Sequence, residues 1–582
     1  MGDGLYRSAN SMPHGVPPPS DGATLISIDS HDQPLVETTA PAPEPPGEGT
    51  AAGNSAVMAI LSLVSRGTGF LRALVLTAAL GTAVGDAYTT AQIFPGMVYE
   101  FLLGGVLTSV LVPVLVRRRR GDPDQGQAYT QRLLTLAVLA LGVATVAAVA
   151  AAPYLTWLVV DSNEASRDYN GLVTALSRLM LPMIFFTGLS ALISAVLNTR
   201  GHFAAPMRTP ILNNLVVLAT LGVYIAIFGA KLIQPNEMTP GRIILISGGT
   251  LLGVVVQAVG LLPALRKVGF RWRWRFDFRA LGLRELARLG TWMFCYVAVS
   301  QIGLVVLFNL LNRAEKGGNK AGPLIYNNVF LLLMTAHGII AVSIITALMP
   351  RLSAAAAEGR YADVTADLSR GTRVVTAVLA PIAVCYAVLA GPISFTLFRY
   401  GAFTAENSTA TSVVLLVAAL ALIPFAVSQL FTFAFYALPD TRTPALINIP
   451  VVGLRALIQI ALFLTFSASF TAAGLMLGNA VSYLAAAVIT ATLLRRRIGR
   501  LGLGQIMKTV GKVLVAALGS ALVGLLVLQL LPGDPTPSRL EAIVQLVIGG
   551  AVICGSYLGL AFLLRIREIS EVVRLVRRKV GR

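Results

Sequence analysis

The sequence is poor in the residues from which most active sites are built. Its 582 residues include 3 cysteines and 4 histidines. Cys295, Cys385 and Cys554 stand singly inside apolar segments, with no metal-ligand or redox spacing. His14, His31, His202 and His337 are equally scattered, and no HExxH motif, P-loop or Ser/His/Asp arrangement accompanies them. The loops also lack the clustered carboxylates and basic motifs that membrane glycosyltransferases and phosphatases display. The expectation is a chain that is not an enzyme and carries no metal and no resident cofactor. Charge is scarce as well. Asp, Glu, Lys and Arg make up 13% of the chain, about half the share of a soluble domain.

What the chain has in abundance is apolar length, with 55% hydrophobic residues. Fourteen runs approach the roughly 20 residues a bilayer-crossing helix needs. They lie near 56–79, 88–116, 133–160, 171–197, 209–231, 243–265, 290–312, 325–350, 374–398, 411–438, 444–466, 470–494, 513–531 and 541–564. The fold class expected is therefore an all-α polytopic membrane protein of about 14 transmembrane helices.

The net charge of +19 would suggest nucleic acid in a soluble protein, but its distribution points elsewhere. With a cytoplasmic N-terminus, the cytoplasmic connections and C-terminal tail receive 33 Lys and Arg, and the opposite side 8. Such asymmetry orients membrane proteins and predicts that both termini are cytoplasmic. RRRR (117–120) and RWRWRF (271–276) then read as anchors facing anionic membrane lipids. Tryptophans between arginines can stack on bases, but beside a membrane the lipid reading is preferred and no nucleic-acid partner is expected.

Residues 1–55 differ from the rest. MPHGVPPPS and APAPEPPGEG supply few large apolar side chains, so a disordered, Pro-rich cytoplasmic tail is expected. Its start lacks a basic region followed by an apolar run, so no signal peptide is expected. Within VETTAP (Val36–Pro41), Thr38 and Thr39 beside Glu37 offer a site to a Ser/Thr kinase; an ordinary polar tail is the preferred reading.

Four cations remain inside the predicted spans: Arg66, Arg72, Arg178 and Arg455. An arginine at mid-membrane costs about 2.5–3.5 kcal/mol on insertion scales and should face a cavity or a partner. Arg66 and Arg72 lie ~9 Å apart along a helix and ~120° apart around it. Long side chains could converge, or Gly67 and Gly69 could allow local unwinding or a close helix contact. Arg66 could alternatively snorkel to the interface, whereas the deeper Arg72 is the stronger cavity candidate. Glu100 is the obvious intramembrane counter-charge, with Asp86 at the outer approach of the same span.

The chain also repeats itself. A shift of 238 residues brings Tyr88 onto Tyr326, Thr108 onto Thr346, Ser190 onto Ser428 and Pro206 onto Pro444. GGVLTSVLVPVLV (104–116) answers IAVSIITALMPRL (340–352), and TRGHFAAP (199–206) answers ALPDTRTP (437–444). The expectation is two parallel six-helix repeats forming a central cavity, plus two C-terminal helices, a transporter architecture. The corresponding divisions are the tail 1–55, an N-terminal lobe with its basic connector 56–288, a C-terminal lobe 289–500, and two extra helices with a basic tail 501–582.

The run SRGTGFLRALVLTAALGTAVGDAYTTAQIFPGMVYEFLLGGVLTSVLVPVLV resembles the opening of the MurJ/MviN lipid II flippases, within the multidrug, oligosaccharidyl-lipid and polysaccharide exporter superfamily. The points of likeness are Ser65-Arg66, Gly69-Phe70-x-Arg72, Gly81, Asp86-Ala87-Tyr88, Pro95, Gly105 and Val112-Pro113. AVSIITALMPRLS (341–353) and FYALPDTRTP (435–444) resemble matching parts of the second half. The abundance of Arg and Ala suits an actinobacterial member.

The resemblance implies a flippase carrying lipid II, a polyprenyl diphosphate bearing a sugar–peptide headgroup, to the outer leaflet by alternating access. It implies Arg66 and Arg72 as the diphosphate-binding pair, and a groove for the polyprenyl tail near 513–564. Further cavity charges to consider are Asp86, Glu100, Arg178, Arg313 and Arg455. The chain departs from better-known Gram-negative members at Tyr99 and Leu331, where those carry arginines, and at Gly96, where asparagine is common. Arg178, Arg313 or Arg455 could compensate. Relatives respond to membrane potential or sodium, so sodium or a proton is the coupling ion to consider, although no oxygen-ligand cluster identifies a site. The alternatives are a drug or cation exporter of the same superfamily, a flippase for another polyprenyl-linked glycan, and a scaffold engaging cell-wall synthesis proteins through the N-terminal tail.

Overall fold

The structure is a computed structural model describing residues 48–104, 112–160, 166–281, 283–316, 321–465, 470–531 and 537–570. The readings for residues 1–47, including Thr38 and Thr39, lie outside the described residues. Two compact units are distinguished, Met1–Asn54 and Ser55–Arg582; the second holds the helix packing and the cavities.

The regular structure of the described residues is all helical, without a strand. The first half contributes α1 (Glu48–Tyr99), α2 (Val112–Gly121), α3 (Gln127–Ala150), α4 (Ala152–Val159) and α5 (Arg167–Met180). It continues with α6 (Met183–Thr199), α7 (Ala204–Phe228), α8 (Pro240–Val259) and α9 (Leu262–Lys267). The second half holds α10 (Leu283–Lys316), α11 (Pro323–Ala336), α12 (Val342–Ala357), α13 (Tyr361–Val388) and α14 (Ala390–Phe398). Then come α15 (Ala405–Ala437), α16 (Arg442–Thr465), α17 (Thr471–Ile498), α18 (Leu503–Leu530) and α19 (Arg539–Leu563). Prolines sit inside α1, α7, α12, α13, α15 and α16. Membrane helices tolerate them because neighbouring helices supply the missing hydrogen bonds.

Among the described residues, 13 helical stretches are long and apolar enough to cross a membrane. The first, Ile60–Leu102, has 43 residues. At 1.5 Å per residue it would be about 65 Å long, twice a hydrocarbon core of ~30 Å. It is broken at Gly81 (φ 63°, ψ −161°), so its two limbs correspond to the first two predicted spans. The number expected from sequence and the number of stretches differ only through this bend.

The sequence repeat reappears as matched contacts, with Tyr88/Tyr326 and Thr90/Asn328 keeping the 238-residue spacing and the other pairs lying 229 to 235 residues apart. The Asn214 amide on α7 donates to Ser65 O (3.2 Å) and Thr68 Oγ1 (3.0 Å); Asn448 on α16 donates to Tyr296 O (2.9 Å) and Ser300 Oγ (2.8 Å). Tyr88 bonds Thr250 on α8, and Tyr326 receives Asn479 on α17. Thr90 donates to Asn312 on α10 (3.2 Å), while Asn328 on α11 donates to Thr77 on α1 (2.9 Å). This last pair is reciprocal, each repeat's second crossing bonding the other's first. Each such bond in a membrane contributes about 0.6 kcal/mol. Both second crossings also carry a π turn at matching places, Glu100–Gly104 and His337–Ala341.

The two C-terminal helices α18 and α19 pack on each other; α18 also meets α13, and α19 meets α13 and α14. This contact corrects the reading of the cysteines as isolated. Cys385 on α13 and Cys554 on α19 are neighbours across the packing of these two helices. We expect membrane-permeant iodine to remove two thiols per chain, counted by mass spectrometry after alkylation, and Cys554→Ser to prevent the loss. Three thiols surviving in the wild type would contradict the pairing.

The loop entering α16 is held by Asp440. Its carboxylate accepts from the Thr443 amide (2.9 Å) and hydroxyl (2.7 Å) and pairs with Arg497 at the end of α17. Burial pushes its pKa up, but the Thr443 and Arg497 hydrogen bonds outweigh this and hold it below the usual carboxylate range. A depressed folded-state pKa stabilises fully above the unfolded value of about 3.9, and the contribution disappears as pH falls through the folded value. Asp440→Ala should cost about 1 kcal/mol at neutral pH, as loss of a helix-capping carboxylate does. The difference in thermal midpoint from wild type should shrink below about pH 4. A difference that stays constant down to pH 3 would contradict this.

Candidate functional site: a basic cavity between the repeats

Arg66 and Arg72 face one cavity of about 500 Å³. The inner side of the first limb of α1 forms one wall, with Gly69, Phe70 and Ala73; Thr89, Gln92 and Ile93 of the second limb form another. Asn214 of α7 and Asn327, Asn328, Leu331 and Thr335 of α11 complete the lining. The cavity therefore lies between a helix of the first half and one of the second.

Of the two ways the arginines could converge, no unwinding is used. Helical geometry continues through Gly67 and Gly69, and the break in α1 comes at Gly81. Gly69 makes the close helix contact: a Cβ there would stand 3.4 Å from Asn214 Nδ2, whereas Gly67 faces open space. Both arginines nonetheless line the same cavity, although ~120° separates them around the helix. The Arg66 guanidinium crosses to the second half and lies against Gly338 in the π turn His337–Ala341, where any Cβ would collide with its Nη1. Arg66 is exposed and Arg72 half-buried. Among the described residues neither has an ion-pair partner.

The remaining predicted charges are placed differently. Asp86 is a capping residue and not a cavity charge: 1% exposed, it accepts from the Leu324 amide at 2.6 Å and closes the first turn of α11. A carboxylate there satisfies orphan amides and opposes the helix dipole. Glu100 stands exposed in the first π turn, which packs on α10 through Phe101 and Phe294 (ring centroids 4.6 Å apart), so it is no counter-charge to the arginines. Arg178 and Arg313 are exposed and line neither cavity described here. Arg455 lines a second cavity of about 430 Å³ between α10, α11, α15, α16 and α17. Leu331 lies in the wall of the first cavity, so the position is reached but supplies no cation.

Sequence reading missed the amides. Asn214, Asn312, Asn328, Asn448, Gln459 and Asn479 all sit inside apolar spans and all bond across helices. The signal was available, since a polar side chain inside a membrane is costly without a partner. No group of three His, Cys, Asp or Glu side chains that could hold a metal occurs among the described residues.

The family model "Lipid II flippase MurJ" matches residues 76–536. The chain belongs to the MurJ family. The match begins beyond Arg66 and Arg72, so their role in the cavity rests on the geometry above. The lipid II flippase MurJ of Burkholderia cenocepacia is 28% identical over 398 residues, covering 67% of this chain and 74% of that one. A probable lipid II flippase MurJ of Synechocystis is 26% identical over 473 residues, covering 80% and 85%. Among solved structures, a lipid II flippase MurJ in an inward closed conformation superposes with a TM-score of 0.67, covering 90% of this chain and 99% of that one at 19% identity. An inward-facing MATE-family multidrug transporter gives 0.58 at 14% identity, covering 76% and 98%. These two likenesses concern fold. The MurJ-family chain is thus a multi-pass helical membrane protein with the shared architecture of flippases and exporters.

Proposed function

We propose that this chain moves lipid II from the inner to the outer leaflet of the cytoplasmic membrane, with Arg66 and Arg72 holding the diphosphate. Membership of the MurJ family supports the cargo, and the pair of arginines without ion-pair partners supports the site. A diphosphate cannot cross hydrocarbon bare. Arginine offers its oxygens a planar fork of donors and remains charged at any physiological pH. Arg66 enters from the first half and touches the π turn of the second. Relative rocking of the halves, each with its C-terminal helices or connector, would therefore open and close the arginine pair toward either side in turn. Among the described lining residues of both cavities there is no Asp or Glu. That favours an anionic cargo over the cationic drug of the exporter reading. The excess of Lys and Arg in alternate connections supports cytoplasmic termini and contact of RWRWRF with anionic lipid.

The observation that carries the proposal is the shared cavity of Arg66 and Arg72. Depletion in the native host should lower lipid II at the outer surface, and re-expression of the wild-type chain should restore it. Normal surface lipid II after depletion would sink the assignment and redirect attention to another polyprenyl-linked glycan.

A further inference from the structure

The two cavities adjoin: Ile93 of α1 and Asn327 of α11 belong to the lining of both. The second carries its own cation. Arg455 projects from α16 toward α10, where a Cβ on Gly303 would come within 2.9 Å of its Nη2. Glycine at that position leaves the space the guanidinium occupies. Beside it stands Tyr483, whose hydroxyl is within hydrogen-bonding reach.

Most polar groups around Arg455 are committed to holding helices together. Asn448 bonds Tyr296 O and Ser300, Gln459 bonds Leu475 O and Asn479, and Asn479 bonds Tyr326. None of these acceptors is a carboxylate, and Arg455 has no ion pair among the described residues. A half-buried guanidinium in a membrane, with a neutral phenol as its neighbour and room in front of it, is an anion site by its chemistry.

We propose that the Arg455 cavity receives a second anionic group of the same cargo, a carboxylate of the peptide carried on the sugar headgroup. This rests on the lipid II reading above. A cavity of 430–500 Å³ suits a drug-sized ligand, and a diphosphate with its sugars and peptide exceeds either alone. With the diphosphate on Arg66 and Arg72, the headgroup continues past Ile93 and Asn327 and presents its peptide end to Arg455. The second cavity thereby selects for a carboxylated peptide, and cargo with its carboxylates masked loses this contact.

The test measures binding to the full-length chain in lipid nanodiscs with three synthetic probes. They are the lipid-linked glycopeptide diphosphate with free peptide carboxylates, the same compound with those carboxylates amidated, and the bare polyprenyl diphosphate. The wild type should bind the free-carboxylate probe about 10- to 100-fold more tightly than the amidated one, the range for a charged hydrogen-bonded contact. Arg455→Gln should erase that difference while leaving the bare diphosphate unchanged, and Arg455→Lys should keep part of it. Arg72→Gln should weaken all three. Equal loss of both glycopeptide probes in Arg455→Gln, or no loss, would overturn the inference and leave the diphosphate site standing. A structural role for Arg455 is separated by thermal midpoint: a variant that unfolds weakens the bare diphosphate too, and Arg455→Lys then decides through the carboxylate difference it retains or lacks. Failure of every diphosphate probe to bind the wild type would overturn the lipid II reading, and this inference with it.

Discussion

Arg72→Ala is expected to abolish rescue of surface lipid II in depleted cells at wild-type membrane abundance, and Arg72→Lys to restore part of it. The half-buried Arg72 lies deeper in the cavity than the exposed Arg66. Its hydrogen bonds to phosphate oxygens should therefore be less screened by water. A charged hydrogen-bonding contact contributes roughly 1.5–3 kcal/mol, which is about a 10- to 100-fold change in occupancy. Lysine retains the charge but not the fork, so partial rescue is the expected sign of bidentate recognition. Arg66→Ala should be the milder change. Full rescue by Arg72→Ala would remove Arg72 from the mechanism, whatever the cargo. Gly338→Ala offers a complementary check, because a Cβ there must displace the Arg66 guanidinium while leaving its charge in place.

Gly81→Val is expected to give the largest loss of folded protein of any single change at the bend of α1. Gly81 has φ +63° and ψ −161°, a region essentially confined to glycine, where a branched L side chain is strained by about 1–3 kcal/mol. Its Cβ would also stand 2.9 Å from Ala402 O and 3.0 Å from Leu232 Cδ1. The neighbouring contact is equally tight: Ala402 N donates to Ala78 O at 2.8 Å, and a Cβ on Gly401 (φ +56°) would reach 2.4 Å from the same Ala78 O. Backbone cannot yield as a flexible side chain can. Both Gly81→Val and Gly401→Ala should therefore lower the yield of monodisperse protein in detergent and its thermal midpoint. Gly67→Ala, facing open space, is the matched control. A Gly81→Val chain as stable as that control would contradict the clamp.

Much of this architecture is legible in the sequence because the bilayer is a demanding solvent. Apolar runs of the necessary length have few alternatives to helices, and every backbone polar group must be satisfied internally. The spans near 209–231 and 411–438 therefore match α7 (Ala204–Phe228) and α15 (Ala405–Ala437) closely. Asp86 shows where such reading stops. It looks like a cavity charge by position, yet its carboxylate closes α11, 238 residues away. Nothing local to Asp86 announces that partner.

By itself the sequence determined the class of molecule, the approximate crossings, the repeat and the arginines to be explained. Hydropathy, periodicity and the cost of a buried charge are local quantities, and each acts on one segment at a time. Only the tertiary structure decided which of those charges share a space. It brought Arg66 and Arg72 into one cavity without unwinding α1, sent Asp86 to a helix end and left Arg178 and Arg313 on the surface. It also set Arg455 in an adjoining cavity and Cys385 beside Cys554. These outcomes depend on how two repeats meet, through Asn328 on Thr77 and Thr90 on Asn312. Long-range packing of that kind is a property of pairs of segments, so no single segment records it.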